Sequence, residues 1–246
     1  MDAVLQQLVD VYAISSAAIE LVQRTPIVLL VGVSGAGKDT IKHCLLETGK
    51  YHHIVSHTTR APRENQGILE QDGVDYHFIT KERAAEMLRG GEFVEAKKYG
   101  NHIYGTSVAE IQKAHDDGKI AITDIEVQGV AEYKAISKNV IAEFILPPNY
   151  AEWQHRLHAR YGKKGADPAD IARRMKTAIV ELEEALTQDY YHFIVNADLD
   201  QAVRAVDKIA HHHDQFTIID HSFRVWAERL LQDLQGEHRW SGSLDF

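Results

Sequence analysis

One short segment constrains the fold of this chain more than any other: the glycine-rich sequence GVSGAGKDT at residues 32–40. It follows an apolar, β-branched run, IVLLV at 27–31, and it precedes a helical pattern at 38–48. Glycines at such a strand-to-helix junction let backbone N–H groups converge on an anion, and the helix N-terminus adds positive potential. A lysine at this spacing reaches the outer phosphates of a nucleotide. The segment therefore predicts a phosphate-binding loop.

This loop predicts a phosphotransferase that uses ATP. The turn supplies backbone N–H donors to the phosphates, and Lys38 supplies a cation that acts in transfer. The residues expected to contact the ATP phosphates are Ser34, Gly35, Ala36, Gly37, Lys38, Asp39 and Thr40.

The residue after the loop lysine departs from the usual pattern. Ser or Thr normally offers a hydroxyl to Mg²⁺ there, whereas this chain has Asp39. A carboxylate is a good Mg²⁺ ligand, but beside a phosphate at ~4 Å the like charges cost ~4 kcal/mol. Asp39 is therefore predicted either to hold Mg²⁺ or to point away from the phosphates. Thr40 is the alternative source of a hydroxyl.

The rest of the chain alternates short apolar runs with helical patterns, which is typical of an α/β fold with a parallel sheet flanked by crossover helices. Strands are predicted at 27–32, 53–57, 119–124, 140–145 and 191–195. Helices are predicted at 38–48, 80–89, 107–117, 127–137, 149–160, 168–187 and 199–212. Between about 56 and 105, short β-like pieces surround a helix, so we expect an inserted α+β subdomain there.

Two helical extensions flank the predicted core, which spans residues 26–214. Residues 1–25 carry apolar side chains at helical spacing, so we expect an amphipathic helix packed on the domain or on a partner subunit. In residues 215–246 a second helix is expected, and its tail from residue 236 is expected to fray. Its apolar face is predicted to contain Phe223, Trp226, Leu230 and Leu234. The oligomeric state stays open, and these helices are candidate homodimer surfaces.

Charge and cysteine content exclude several classes of protein. The formal net charge of −9 argues against a general nucleic-acid binder, which usually carries a basic surface. The single cysteine, Cys44, excludes an intramolecular disulfide and is typical of a reducing compartment. The apolar runs are too short to span a bilayer, and the N-terminal helix lacks the basic start of a signal peptide. We therefore expect a cytoplasmic protein that binds neither nucleic acid nor membrane.

A second group of motifs follows the loop. SHTTRAPR at 56–63 places Arg60 and Arg63 three residues apart, just after a predicted strand. Two guanidiniums at this spacing suit a phosphate or a carboxylate. The motifs that follow are GVDYHF at 73–78, EFVE at 92–95, GNHIYGT at 100–106 and ITDIEVQG at 122–129.

With these motifs in this order, the chain from about residue 26 to 208 resembles the guanylate kinase family. The resemblance implies Mg²⁺-dependent phosphoryl transfer from ATP to GMP, with dGMP as a further possible acceptor. It implies a GMP-binding insert at about 56–105 and GMP-phosphate ligands at Arg60, Arg63, Tyr76 and Tyr104. The guanine-reading residues that it implies are Ser56, Glu95, Thr106 and Glu126, with Asp124 beside them.

The chemistry of guanine supports one of these assignments independently. Guanine presents N1–H and N2–H₂ donors, and the carboxylate of Glu95 is a natural acceptor for both. Adenine would leave such a buried acceptor unpaired, and sites of this kind discriminate strongly between bases. Hydroxyls from Ser56 and Thr106 can donate to guanine O6 or N7.

Residues 156–174 resemble the lid of the same family. The resemblance implies that Arg156, Arg160 and Arg174 act in catalysis together with Lys38. Phosphoryl transfer needs in-line positioning and cations around the equatorial oxygens, and Arg156 and Arg160 share a helix face because they are four residues apart. The resemblance also places Asn196 near the nucleotide base.

Two other functions stay open at this point. A family of kinases that phosphorylate ribose 1,5-bisphosphate resembles this loop and often carries Asp after the lysine, as in Asp39. A non-catalytic, guanylate-kinase-like binding module is the second alternative, although such modules usually lack the loop lysine or the lid arginines. Turnover of GMP against ribose 1,5-bisphosphate discriminates the two kinases, and ATP binding without turnover would favour the module.

Overall fold

The computed structural model describes residues 2–65, 68–159, 167–212 and 223–241. The chain divides into two compact units. One, which we call the insert unit, comprises the described residues of Met1–Ile27, Lys50–Thr123 and Glu132–Val140. The other, the loop unit, comprises the described residues of Val28–Gly49, Asp124–Ala131 and Ile141–Phe246.

The described residues form ten helices and eleven strands. The helices are α1 (Asp2–Asp10), α2 (Ser16–Arg24), α3 (Lys38–Glu47), α4 (Lys81–Gly90), α5 (Val108–Asp116), α6 (Val127–Ile136), α7 (Tyr150–Ala159), α8 (Pro168–Thr187), α9 (Leu199–His211) and α10 (Arg224–Ser241). The strands are β1 (Ile27–Val31), β2 (Tyr51–His53), β3 (His57–Thr58), β4 (Glu64–Asn65), β5 (Ile68–Leu69), β6 (His77–Phe78), β7 (Phe93–Tyr99), β8 (His102–Ser107), β9 (Ile120–Asp124), β10 (Ile141–Leu146) and β11 (Tyr191–Val195). Most predicted elements are therefore confirmed to within one or two residues.

Parallel strands form the core of the loop unit. Strand β10 pairs in parallel with β1 on one side, where Leu30 lies opposite Glu143, and with β11 on the other. Every residue of β1 and β10 is buried, which explains why both sequences are apolar apart from Glu143 of β10. Helices α9 and α10 both pack against β11. The predicted α/β class, with parallel strands and flanking helices, is confirmed.

The C-terminal helix extends further than predicted. Helix α10 packs on α8. Its residues Ala227, Leu230 and Leu234 are buried, whereas Phe223 and Trp226 are 41% and 46% exposed. The sequence predicts only that the four large apolar residues share a face, and the structure adds that Leu230 and Leu234 are buried while Phe223 and Trp226 are exposed. The helix continues to Ser241, beyond the predicted start of fraying at residue 236. Among the described residues, no helix is long and apolar enough to cross a membrane.

The insert unit contains a parallel pair, β2 with β9, and a second sheet in the order β6-β3-β8-β7. In the second sheet β3 pairs with β6 in parallel and with β8 antiparallel, and β8 pairs antiparallel with β7. The predicted strand at 53–57 is wrong, because β2 ends at His53 and β3 starts at His57. The ladder ends there since the Val55 N–H donates to the Glu110 carboxylate, at 3.0 Å, instead of to a strand.

The N-terminal extension forms two helices instead of the predicted single one. Ser15 accepts a hydrogen bond from the Ala18 N–H at 3.2 Å and so caps the start of α2, as serine commonly does. Helix α1 packs on α4 and β7, and α2 packs on α5. The N-terminal extension therefore packs on elements of the insert unit.

Candidate functional site

The glycine-rich loop joins β1 to α3, as the sequence predicts. Gly32 and Gly37 have φ angles of +134° and +98°, values that side chains with a Cβ rarely adopt. A Cβ at Gly32 would lie 2.2 Å from the Ile145 carbonyl oxygen, and one at Gly37 would lie 2.3 Å from Asn196 Nδ2. Glycine is therefore required at both positions by backbone angle and by space.

Three side chains hold the loop through hydrogen bonds to its backbone carbonyl groups. The indole Nε1 of Trp153 donates to the Ser34 carbonyl at 2.8 Å. The amide Nδ2 of Asn196 donates to the Ala36 carbonyl, also at 2.8 Å. The ammonium of Lys38 donates to the Gly32 carbonyl. Because these bonds engage loop carbonyls, they fix the backbone in a conformation suited to phosphate binding.

Two of the predicted catalytic arginines lie beside this loop. The Nη1 of Arg174 donates to the Ser34 hydroxyl at 2.7 Å, and its Nε donates to Asp170 at 2.9 Å. The Nη2 of Arg156 donates to the Asn196 carbonyl at 3.1 Å, and its Nε donates to Glu152 at 2.7 Å. The third, Arg160, lies outside the described residues.

Asp39 is solvent-facing at the start of α3. Its side chain is 76% exposed, and its Oδ1 lies 4.0 Å from the Lys42 ammonium. Lys42 also pairs with Asp124. Burial raises the pKa of Asp124, but the charge and hydrogen bond of Lys42 outweigh it and hold that pKa below its ordinary value. Thr40 is exposed on the same turn.

Two of the predicted GMP ligands belong to the loop unit. Asp124 ends β9 and pairs with Lys42 on the helix that follows the loop. Glu126 is exposed just before α6. The sequence could not assign them to this unit, because residues 120–123 of β9 belong to the insert unit.

The remaining predicted GMP ligands lie in the insert unit, where three of them converge. Arg60 is 7% exposed, and its guanidinium makes two bonds to Glu70, at 2.7 and 3.0 Å. Its Nε donates to the Tyr104 hydroxyl at 3.2 Å, and its Cζ lies 5.2 Å from the centre of the Tyr76 ring. The hydrogen bonds that Arg60 donates to Glu70 raise the pKa of Arg60 above its ordinary value, so this buried cation stays charged.

The other two residues of the SHTTRAPR motif lie at the edges of this cluster. Arg63 is exposed, and its backbone N–H donates to Glu70 at 2.7 Å. The Ser56 carbonyl accepts a hydrogen bond from the His77 N–H at 2.9 Å. Glu70 therefore ties both arginine positions of the motif together.

Glu95 and Thr106 form the predicted base-reading pair. The Thr106 N–H donates to Glu95 Oε1 at 2.9 Å, and Thr106 is buried. Burial raises the pKa of Glu95 to about 7, against the hydrogen bonds from Thr106. The pair thus offers a desolvated carboxyl group and a hydroxyl side by side, a combination that complements a base with adjacent donors and acceptors.

Comparison with known proteins decides the family. The guanylate kinase family model matches residues 23–213. The chain belongs to the guanylate kinase family. The family match confirms the resemblance carried by the motifs between residues 32 and 129.

Individual guanylate kinases agree with this assignment. Guanylate kinase 1 of Oryza sativa subsp. japonica is 36% identical over 186 residues, which are 74% of this chain and 47% of the rice protein. The chain therefore spans about half the length of that relative. Guanylate kinase of Clostridium perfringens (strain SM101 / Type A) is 36% identical over 191 residues, 76% of this chain and 82% of that protein.

A solved guanylate kinase has the same fold. The crystal structure of guanylate kinase from Anaplasma phagocytophilum aligns with a TM-score of 0.58 and 24% identity. The alignment covers 84% of this chain and 96% of that one. At this level of identity the likeness establishes the fold alone.

Several residues of this guanylate kinase site lie outside the predicted set. Glu70, which holds Arg60, lies beyond the SHTTRAPR motif, and Trp153 looks like an ordinary core residue of α7 in the sequence. Burial raises the pKa of Glu181 on α8 to about 7, although the charge of Lys38 opposes this shift, so a carboxyl group lies near the loop lysine. The spacing of residues in the sequence does not predict Glu70, Trp153 or Glu181, because each acts on a residue that is distant in sequence.

Proposed function

We propose that the chain transfers the γ-phosphoryl group of ATP to GMP, with dGMP as a further acceptor, and releases ADP and GDP. A phosphate oxygen of GMP forms the new bond to the γ-phosphorus as the bond to the ADP oxygen breaks. The observation that carries the proposal is that one face of β8 contacts both a predicted phosphate ligand and a predicted base-reading residue. Tyr104 and Thr106 are two residues apart and so lie on one face; the first contacts Arg60, and the second contacts Glu95.

On the donor side, we assign the ATP phosphates to the loop and its cations. Lys38 at the start of α3 contacts the outer phosphates. Arg156 and Arg174, with Arg160 as a further prediction, neutralise charge on the equatorial oxygens of the transferring group. Segment 156–174 serves as the lid that carries these arginines. No nucleophile from the protein is required, because GMP attacks directly.

Magnesium fits this site through Asp39. Among the described residues no group of three or more His, Cys, Asp or Glu side chains could hold a metal by itself. Kinase Mg²⁺ is usually held by one or two carboxylates, phosphates and water, so one exposed carboxylate at the first turn of α3 is sufficient. Asp39 would hold the ion, which would neutralise the phosphates when bound. The like-charge conflict predicted for Asp39 is then removed.

The net charge and the free cysteine support a cytoplasmic location and small nucleotides as ligands. Cys44 is a free thiol, which suits a reducing, cytoplasmic compartment. The net charge of −9 supports small nucleotides over nucleic acids as ligands. We therefore place the activity in cytoplasmic purine nucleotide metabolism.

An acceptor panel tests the proposal. ADP release would be measured with Mg²⁺ and ATP against GMP, dGMP, AMP and ribose 1,5-bisphosphate. We expect kcat/KM to be highest for GMP and about 10⁴-fold lower for AMP, because adenine leaves the Glu95 carboxylate unpaired. Turnover of ribose 1,5-bisphosphate without turnover of GMP would assign the other kinase activity. ATP binding without turnover of any acceptor would assign a binding module.

A further inference from the structure

The N-terminal helix α1 is built into the core of the insert unit. Leu5 is 1% exposed and belongs to a hydrophobic cluster with Met87, Phe93 and Ile103. At the start of α1, Asp2 pairs with Lys81 of α4. The guanylate kinase family model begins at residue 23, so this helix is an addition that the family match does not cover.

The segment after α1 makes an unusual contact with the sheet. The hydroxyl of Tyr12 donates to the Phe93 carbonyl at 2.5 Å and accepts from the Phe93 N–H at 3.0 Å. The two rings meet edge to face, with centroids 6.4 Å apart. Strand β7 is last in the sheet order, so its outer backbone groups need partners. One tyrosine hydroxyl satisfies both backbone groups of Phe93.

This contact lies directly beside Glu95. The pairing of β7 with β8 shifts register between Phe93 and Glu95, since Phe93 lies opposite Ser107 and Glu95 lies opposite Thr106. Such a bulge re-aims the side chains that follow it. The bulge is held at one end by Tyr12 and at the other by the bond from the Thr106 N–H to Glu95.

Close packing prevents Phe93 from moving independently of β8. Phe93 is fully buried. A Cβ at Gly105 would lie 2.9 Å from Phe93 Cδ1 and 2.7 Å from the Glu95 carbonyl oxygen, so the two strands are already in contact there. A shift of Phe93 therefore displaces Glu95 or Thr106, because interiors packed this closely transmit strain.

We propose that Tyr12 is a positioning residue for nucleotide acceptor binding: by bonding both backbone groups of Phe93, it fixes the β7 bulge and aims Glu95 at guanine. The proposal rests on the proposed function, because it takes Glu95 as the group that reads the base. It assigns the segment that follows α1 a role in GMP affinity in addition to packing.

The variant Tyr12→Phe tests this role, because it keeps the ring and removes only the hydroxyl. We expect KM for GMP to rise about fivefold to tenfold, the effect of losing one or two hydrogen bonds. We expect kcat and KM for ATP to stay within about twofold, as for loss of acceptor binding alone. Hydrogen exchange should be faster at the Phe93 amide and unchanged at the Ala121 amide, which bonds to Pro26.

Thr25→Val is the matched control. Thr25 is buried in the same unit, and its hydroxyl donates to the Leu21 carbonyl at 2.8 Å. This variant should lower Tm without raising KM for GMP. If Tyr12→Phe also lowers Tm but leaves KM for GMP unchanged, its role is structural and the proposal is overturned. A raised KM with an unchanged Phe93 amide would also overturn it. Absence of GMP turnover in the wild-type chain would instead overturn the proposed function.

Discussion

The loop and the acceptor cluster are built in contrasting ways. The loop takes its shape from nine consecutive residues, 32–40, and its main requirements are positive φ angles and the absence of a Cβ. The acceptor cluster takes its shape from side chains on several elements, from Arg60 to Thr106, that depend on one another. The geometry of the loop is therefore set by its backbone, and that of the acceptor cluster by hydrogen bonds between side chains.

This contrast predicts different failures in the two regions. A change at Lys38 removes one cation and leaves the backbone of the loop in place, so it should affect the chemical step. A change in the acceptor cluster also disturbs neighbouring side chains, because Arg60, Glu70 and Tyr104 share hydrogen bonds. It should therefore affect GMP binding, and sometimes stability. Variants that separate kcat from KM test this difference.

The largest expected effect is on the loop. Lys38→Ala should lower kcat about 10²–10³-fold, the usual loss on removing one preorganised donor, and should leave KM for GMP nearly unchanged. Steady-state kinetics with saturating ATP would measure it. Lys176→Ala is the control, since Lys176 is an exposed lysine of α8. Near-normal turnover by Lys38→Ala would contradict the assigned role.

The next effect is on the acceptor cluster. Arg60→Ala should raise KM for GMP about 30-fold or more, because truncating a buried charge pair costs ~2–5 kcal/mol. It leaves the Glu70 carboxylate unpaired, so Tm should fall as well. Arg60→Lys keeps the charge but loses the two-bond geometry, and should give a smaller rise in KM. Arg89→Ala on the exposed end of α4 should change neither quantity. A normal KM for GMP in Arg60→Ala would contradict the role of the acceptor cluster in GMP binding.

The smallest effect is a pH dependence of GMP binding. Guanine donors need the ionised form of Glu95, whose pKa lies at about 7, so KM for GMP should fall about tenfold between pH 6 and 8. The GMP phosphate also titrates near pH 6. Glu95→Gln separates these two contributions to the pH dependence, because KM of this variant for GMP should change with pH only through the titration of the GMP phosphate. If KM for GMP depended on pH as steeply in Glu95→Gln as in the wild type, the role of Glu95 would be contradicted.

The same pKa shift has a consequence for stability. The folded pKa of Glu95 lies above its ordinary value of 4.5, so the folded state binds this proton more tightly than the unfolded state. Its contribution to the free energy of unfolding is present below about pH 4.5 and is lost as pH rises through about 7. Without GMP, thermal denaturation should therefore show a loss of stability over this range that is absent in Glu95→Gln.

Local features of the sequence predicted most of the fold. The loop at 32–40 and the apolar strands β1 and β10 were predictable because their signals lie within a few adjacent residues. The strand predicted at 53–57 was wrong because a carboxylate from α5, Glu110, takes the Val55 N–H. Periodicity places Trp226 on the apolar face of the last helix, but it does not reveal which residues of that face a neighbouring element covers.

The candidate site was predictable only in part. The motifs name Arg60, Tyr104 and Glu95, but not the residues that position them. Glu70 and Tyr12 act through contacts that span 10 and 81 residues of sequence. Spacing rules describe neighbours on one element, whereas these contacts depend on how the chain folds back on itself.

The central claim is that phosphoryl transfer runs directly from ATP to GMP, and transfer of label tests it most directly. The chain would be mixed with γ-³²P-labelled ATP, Mg²⁺ and GMP, and quenched over time. We predict that label appears in GDP in step with ADP formation, that no label stays on the protein, and that omission of GMP abolishes transfer. Label that never enters GDP, or that enters the protein first, would contradict the account.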